Sequence, residues 1–400
     1  MEKYKQEPLK DNVLEMFIGP FGSSLKNDCF VDEEDGFCMV YEQKHAIQKT
    51  MDVETRYVNE KKYNELKRFN VRGGDIIVSC RGTIGETFIV PDDAPLGVMH
   101  PSIMKIRLKD GVYNKCFFND LLYTRLKKHE AEANGSGVKM AISANKLGEE
   151  LFPVPSIQQQ EEIVQKITLI RKLIDQRKTE LLALDELIKA RFVELFGDPA
   201  RNSMEWETYQ LDECLERIDN GKSFVCSDKP RDGIYPAVLK LSAATYGDYR
   251  PLENKALLDE KQFVESAEVH VGDLLFTRKN TLELVGMAAY VQETPSKLMM
   301  PDLIFRLVPN EKMNAVFLWQ LINCKEFRPV IQAISGGSAK SMSNISKERL
   351  GKIKVICPPR ELQDSLVPFI KQVDKSKVAV QKSLDETQKL FDSLMQEYFG

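Results

Sequence analysis

The sequence is poor in what reactive centres are made of. It has only four histidines (His45, His100, His129 and His270), scattered along the chain, so a His-rich metal site is not expected. Its eight cysteines (29, 38, 80, 116, 214, 226, 324 and 357) include no C-x-x-C pair and follow no metal-ligand spacing. They read as reduced, mostly buried or neutral positions of a cytoplasmic protein. There is no run of 18 apolar residues and no N-terminal hydrophobic leader, which predicts neither a membrane span nor export. Net positive charge is missing as well: the formal balance is −4, so any nucleic-acid surface must be a local basic face.

Motifs for group transfer are also absent. Gly135-Ser136-Gly137 is too short for a nucleotide fingerprint, and in Ser335-Gly336-Gly337-Ser338-Ala339-Lys340-Ser341 no glycine precedes the lysine at phosphate-loop spacing. Pro358-Pro359 lacks the flanking residues with which an adenine methyltransferase grips its base. Pro91-Asp92 and Pro301-Asp302 have no acidic-x-Lys triplet downstream, and neither half offers a Ser/His/Asp or Cys/His set at matching positions. These gaps predict a chain that performs no bond chemistry and holds no cofactor or metal of its own.

What is present is a duplication. Asn145-Lys146-Leu147-Gly148 through Leu195-Phe196-Gly197 returns as Glu348-Arg349-Leu350-Gly351 through Tyr398-Phe399-Gly400, at an offset of 203 residues. Pro155, Gln160 and Val164 become Pro358, Gln363 and Val367. Upstream, Gly74-Asp75-Ile76-Ile77 matches Gly272-Asp273-Leu274-Leu275, and Leu9-Lys10-Asp11 is matched to Gln210-Leu211-Asp212. Such a period far exceeds the roughly 20–50 residues of a solenoid unit and means two copies of a whole domain. Similar units facing one partner usually relate by a pseudo-two-fold, and duplex DNA is a natural partner of that symmetry.

Each copy has two unlike halves. The first is α+β: short strand-type runs (Asp75–Cys80 and Thr87–Val90; Asp273–Thr277 and Met287–Val291) alternate with helical stretches at Tyr113–Lys128 and Asn314–Cys324. Phe117, Phe118, Phe317 and Trp319 fall at helical spacing with leucines and read as core, and Trp206 as a packing anchor. The second half is a long helix whose apolar positions alternate by four and three. Ile163, Ile167, Ile170, Ile174, Leu181, Leu184 and Ile188 form one seam, and Leu366, Ile370, Val373, Val380, Leu384 and Phe391 form the other. Spacing of this kind over more than four heptads indicates a coiled coil. A helix cannot hide such a stripe alone, so the two are expected to pack on each other over about 50 Å. The expected segments are 1–155 and 200–358 for the globular domains, and 156–199 and 359–400 for the helices.

The order of an α+β domain, a Pro-rich entry (Pro153-Val-Pro155…Gln160-Glu161-Glu162-Ile163), a long helix and Leu195-Phe196-Gly197-Asp198, all repeated, closely resembles the specificity subunit of type I restriction–modification enzymes. Arg278-Lys279-Asn280-Thr281-Leu282-Glu283-Leu284-Val285-Gly286 is similar to a motif of that family's target-recognition domains; Arg81-Gly82-Thr83 in the first copy lacks the Asn-Thr-x-Glu-Leu-Val run. The resemblance implies two similar target-recognition domains joined by two long helices in an antiparallel coiled coil. Each domain would read one part of a bipartite, asymmetric site on double-stranded DNA. The helices would set the spacing and dock two DNA methyltransferase subunits, with restriction/translocase subunits in the full complex. S-adenosylmethionine, ATP and Mg would then belong to the partner subunits. Two rivals remain: the recognition subunit of a related methylase–nuclease system, and a coiled-coil adaptor without DNA contact.

Candidate DNA contacts fall into three groups. Small-residue loops end in Lys139 (from Asn134) and in Lys340-Ser341 (from Ser335), where backbone N–H groups and a lysine suit a phosphate. At the end of the central strands stand Arg81 and Thr83, and Arg278, Lys279 and Asn280; Arg can bond guanine O6 and N7 together, and Asn can do the same for adenine N6 and N7. Polar side chains on early loops form the third group: Ser23, Ser24, Lys26, Tyr41, Gln43 and Lys44, and Lys222, Ser223, Lys240, Ser242 and Tyr246.

Overall fold

A four-and-three apolar stripe drives a helix to find a partner. The computed structural model contains two such helices, Ile157–Phe196 and Arg360–Phe399, of 40 residues each. The structure describes residues 4–136, 143–336 and 342–400. They divide into two units, Met1–Lys178 with Lys382–Gly400, and Thr179–Gln381, so the division cuts through both long helices.

In the first unit, strands Val13–Ile18, Ile103–Leu108, Ile76–Ser79 and Thr87–Ile89 form an antiparallel sheet in that order. A second sheet runs Tyr57–Val58, Cys38–Tyr41, Gly97–Met99 and Asn70–Val71, its two middle strands parallel. Ile76–Ser79 is buried at every position, with Ile76, Ile77 and Val78 apolar in a row, because both of its faces are covered. Ile76 and Val78 enter a core with Phe117, Phe118, Ile163, Ile167 and Phe399, while Ile77 points the other way among Met39, Tyr41 and Val71. The two-residue period of a strand thus feeds two cores from one segment.

The second unit repeats this plan with strands Leu215–Asn220, Ile304–Pro309, Leu274–Thr277 and Ala288–Tyr290, beside a sheet of Asn254–Ala256, Ala237–Leu239 and Leu298–Met299. Leu274 and Phe276 face Phe317, Leu321, Ile188, Phe192 and Phe196, while Leu275 faces Ala237 and Leu239. One alignment changes. The 3-10 turn Leu9–Asn12 matches Leu211–Cys214, so Leu9 corresponds to buried Leu211 rather than to Gln210. The helix Lys115–Ser136 also outruns the expected Lys128 and takes in the backbone of Asn134–Ser136, the start of the expected loop.

Within each unit the long helices run antiparallel. In the first, the Lys166 ammonium lies 5.9 Å from the Tyr398 ring and the Arg171 guanidinium 5.4 Å from the Phe391 ring. In the second, Lys377 pairs with Asp185, and Arg191 lies 5.8 Å from the Phe369 ring. Ile163, Ile167, Ile170, Ile174, Ile188, Leu366, Ile370, Val373 and Val380 are buried, whereas Leu181, Leu184, Leu384 and Phe391 are half-buried. Off the seam, Phe196 packs 4.7 Å from Phe317 and Phe399 packs 5.3 Å from Phe117. Each long helix therefore starts against the core of one unit and ends in the core of the other. Among the described residues no helix is long and apolar enough to cross a membrane.

Gln160 and Gln363 fix the helix entries. Each is fully buried. The Gln160 amide donates to Val112 O and Pro155 O (both 2.9 Å) and its oxygen accepts from Asn114 N (2.8 Å). Gln363 repeats the pattern with Lys312 O (2.9 Å), Pro358 O (2.8 Å) and Asn314 N (2.8 Å). A proline-rich entry lacks backbone donors, and one buried carboxamide ties it to the loop before the preceding helix. Replacing Gln363 with Leu removes the partner of the buried Pro358 carbonyl and of the half-buried Asn314 N–H, and is expected to cost roughly 2–4 kcal/mol. Urea unfolding checks this, and a loss below about 0.5 kcal/mol, the scatter of neutral surface changes, would refute the latch.

Candidate nucleic-acid interface

Strand direction gathers most of the candidate side chains at one end of each unit. In the first unit, Val13–Ile18 and Ile76–Ser79 both run antiparallel to Ile103–Leu108, so their C-terminal ends meet its start. Cys38–Tyr41 is parallel to Gly97–Met99, and these two also end there. The turn His100-Pro101-Ser102 lies in the middle. Gly19 N donates to Ile103 O (2.9 Å), Cys80 N to Ser102 O (2.8 Å) and His100 N to Tyr41 O (2.9 Å). Gly19 is required by this close approach, because a Cβ there would sit 2.3 Å from His100 O.

The second unit builds the same rim around Pro301-Asp302-Leu303. Lys222 N donates to Met300 O (2.9 Å), Gly221 N to Ile304 O (3.4 Å) and Arg278 N to Leu303 O (3.0 Å). A Cβ on Gly221 would come within 2.1 Å of Pro301 O. Ser223 bonds Asp302 through both that residue's backbone N–H (3.1 Å) and its carboxylate. Beside the turn, Ser223, Phe224, Lys240, Lys255, Pro301 and Leu303 help line a cleft of about 300 Å³.

Around His100 the first rim is basic. Lys44, Arg56 and Arg81 all act on the His100 imidazole, opposed by Glu42. Glu42 holds Lys44 (3.1 Å) and Arg56, whereas Arg81 is exposed with no ion pair among the described residues. Thr83, Ser23 and Lys26 are exposed as well, and Ser24 is half-exposed. The Gln43 amide nitrogen lies 3.8 Å from where a Cβ on Gly82 would stand, and its buried oxygen has no partner among the described residues. Burial pushes the imidazoles of both His45 and His100 below the ordinary histidine range. In the second rim Lys222 is exposed, and Lys279 and Asn280 are half-exposed. The Asn280 amide donates to Thr245 Oγ1 (3.3 Å).

Three expected contacts, Tyr41, Ser242 and Tyr246, do not join these rims, and a fourth, Lys240, lies beside the second with its ammonium engaged. Tyr41 is wholly buried and its hydroxyl donates to Pro95 O (2.6 Å): the last residue of a central strand turns inward because strand side chains alternate. Lys240 (3.4 Å) and Ser242 (2.8 Å) both bond Glu253, which occupies their polar ends. Tyr246 is exposed but carries the Arg250 guanidinium 4.7 Å from its ring, and it lines a cleft with Trp319, Tyr290, Asp185 and Asp374 beside the long helices. Lys139, Lys340 and Ser341 lie outside the described residues. Sequence reasoning missed His100, Arg56 and Asn344. Their only signal is position, next to the Pro101 turn or opposite the Arg278 strand, and that signal needs the sheet order to be read.

Comparison with known proteins gives one consistent result. The model of the type I restriction modification DNA specificity domain matches residues 26–184 and again 203–387. The chain is 30% identical over 233 residues to the type I restriction enzyme EcoEI specificity subunit of Escherichia coli, covering 56% of this chain and 39% of that protein. It is 22% identical over 197 residues to the putative type I restriction enzyme MjaX specificity subunit of Methanocaldococcus jannaschii, covering 49% and 45%. These matches thus span less than half the length of either curated relative. Among solved structures, the type I restriction–modification S subunit from M. genitalium superposes with a TM-score of 0.54 at 14% identity, covering 99% of this chain and 96% of that one. A chain from a study of complex assembly and conformational transition of the type I R-M system gives 0.61 at 15%, covering 99% and 97%. At these identities the two structures show likeness of fold.

The depressed imidazoles make a pH prediction. Unfolded histidines take up protons below about pH 6.5. The folded chain resists this at His45 and His100, so their contribution to stability is present above that pH and lost as pH falls towards their folded values. The double variant His45→Asn, His100→Asn, which keeps an acceptor at each site, should lose less stability than the parent between pH 7.5 and 5.5. Urea midpoints at the two pH values test this, and equal losses would contradict it.

Proposed function

Because the chain belongs to the family of the type I restriction modification DNA specificity domain, we propose that it is the sequence-reading subunit of such a system. Each unit reads one part of a bipartite site on double-stranded DNA, and the chain itself makes and breaks no bonds. The observation that carries this reading is the pair of homologous rims. In each, the loops after several strands converge on one turn; the first presents Arg, Lys, Ser and Thr side chains and the second Arg, Lys, Ser and Asn. Polar groups on short loops over packed strands are the usual means of reading base edges.

The long helices serve as spacer and docking element for two methyltransferase subunits, and restriction/translocase subunits join the full assembly. At about 1.5 Å per residue each helix is roughly 60 Å long, compared with about 34–36 Å for one turn of B-DNA. S-adenosylmethionine, ATP and Mg belong, on this reading, to those partners. The formal charge of −4 also fits a subunit that does not supply the whole phosphate-facing field.

A selection from randomised duplexes, run with the full chain alone and with its methyltransferase, is the test. The expected product is a two-part motif with a fixed gap, and affinity that falls steeply with salt. Inserting one heptad into each long helix should change the gap and leave both half-sites as they were. A flat selection with and without the methyltransferase overturns the DNA reading; an unchanged gap in the insertion variant overturns only the spacer.

A further inference from the structure

The two rims are not equivalent where the central strand ends. Hydrogen bonding fixes the correspondence. Ser79 pairs with Ile103 and Thr277 with Ile304, and the next residues, Cys80 and Arg278, donate to Ser102 O and Leu303 O. Arg278 therefore occupies the place of Cys80, not of Arg81. The ring beneath it, Phe305, stands where the first unit has Met104. Only the second unit carries an arginine laid on a phenylalanine at this point.

Arg278 is also pre-set. Its backbone is held on both sides, by N–H to Leu303 O (3.0 Å) and by Ile345 N–H to its own carbonyl (2.8 Å). Its guanidinium carbon lies 4.8 Å from the Phe305 ring centre, and Nε donates to Asn344 Oδ1 (3.3 Å). Both terminal nitrogens are left without a hydrogen bond among the described residues. The next turn is rigid at its base: Arg328 donates to Gly286 O (2.8 Å), Val285 O (2.6 Å) and Glu283 O (3.3 Å). That turn closes through Gly286 N to Thr277 O, whereas the first unit closes it from Gly85 N to Ser79 O. Between the bonded residues lie eight residues (278–285) in the second unit and five (80–84) in the first, so the second unit's loop is longer by three.

We infer that Arg278 is a specificity-determining residue that reads a guanine in the half-site of the second unit. A guanidinium stacked on a ring and tied at Nε has lost its rotamer freedom before binding, and its two terminal N–H groups form the fork that matches guanine O6 and N7. The first unit, with a half-buried thiol at this position, has no such fork there, so this guanine contact belongs to the second unit's half-site. This rests on the DNA-reading role proposed above.

The test is the same duplex selection with the full chain, its methyltransferase and the variants Arg278→Lys and Asn344→Ala. Lysine keeps the charge and loses the fork. In the parent motif one position of one half-site should be guanine. In Arg278→Lys its preference should fall on the order of ten- to a hundredfold, with the other half-site unchanged. Asn344→Ala frees Nε and should weaken the same position only. The inference is overturned if guanine persists in Arg278→Lys, or if enrichment falls evenly across all positions, which marks a phosphate contact. The unchanged half-site reports that each variant is folded; should Arg278→Lys not fold, Asn344→Ala decides alone, and an effect at any other position refutes the assignment. No motif from the parent itself would instead defeat the proposed function.

Discussion

Everything in this chain depends on a stripe that one helix cannot bury. Ile163, Ile167, Ile170 and Ile174 are buried along one face of a helix, and Leu366, Ile370 and Val373 do the same on its counterpart. Each buried side chain contributes roughly 1.5–3 kcal/mol only if the opposite face is present. The antiparallel partner supplies it, and the phenylalanines at the far ends carry the consequence further. Phe196 sits in the core of the second unit, and Phe399 returns to the core of the first. Neither helix can be withdrawn without opening a core at each of its ends.

On the DNA-reading proposal, the same economy of strands explains why a reading surface arises at a particular place. A central strand buried on both faces has no side chains to spare for solvent, so polar readers must come from the loop beyond its end. Tyr41 and Arg81 show the two outcomes: the last strand residue is drawn inward, and a residue two places beyond a strand end reaches water. Convergence on His100-Pro101-Ser102 and on Pro301-Asp302-Leu303 arises from antiparallel pairing to a common strand, not from any local sequence preference. The glycines at 19 and 221 let the backbones meet there, where any side chain would collide with a carbonyl.

That division sets how much was legible in the sequence. The duplication, the strands at Ile76–Ser79 and Leu274–Thr277 and the paired helices could be read because periodicity and repetition are local signals. The buried glutamines were visible as repeated letters, but their role required the Val112 and Lys312 carbonyls, which lie 48 and 51 residues upstream. Tyr41 was misread because composition does not reveal which way the last residue of a strand points. That the polar ends of Lys240 and Ser242 are engaged was not legible, because Glu253, which binds both, comes from the neighbouring strand's connection. Arg278 could be singled out as a candidate, but it was grouped with Arg81, and only the ladder showed that its structural counterpart is Cys80.

Charge gives the last step. Several cations at the rims are already engaged: Glu42 holds Lys44 and Arg56, and Glu253 holds Lys240. The exposed Lys240–Glu253 pair is worth little for stability, about 0–1 kcal/mol, whereas buried Glu42 also caps the helix Gln43–Gln48; staple or not, both carboxylates act on the cations they hold. They do restrict where a cation can point and reduce the attraction of each rim for phosphates of any sequence. On the DNA-reading proposal this favours discrimination over grip. Non-specific affinity grows with every unpaired cation facing the backbone, whereas selectivity needs only a few donors held in place. An acidic subunit with sparse, positioned readers therefore separates the two tasks, leaving most of the grip to be supplied by the proteins it assembles with.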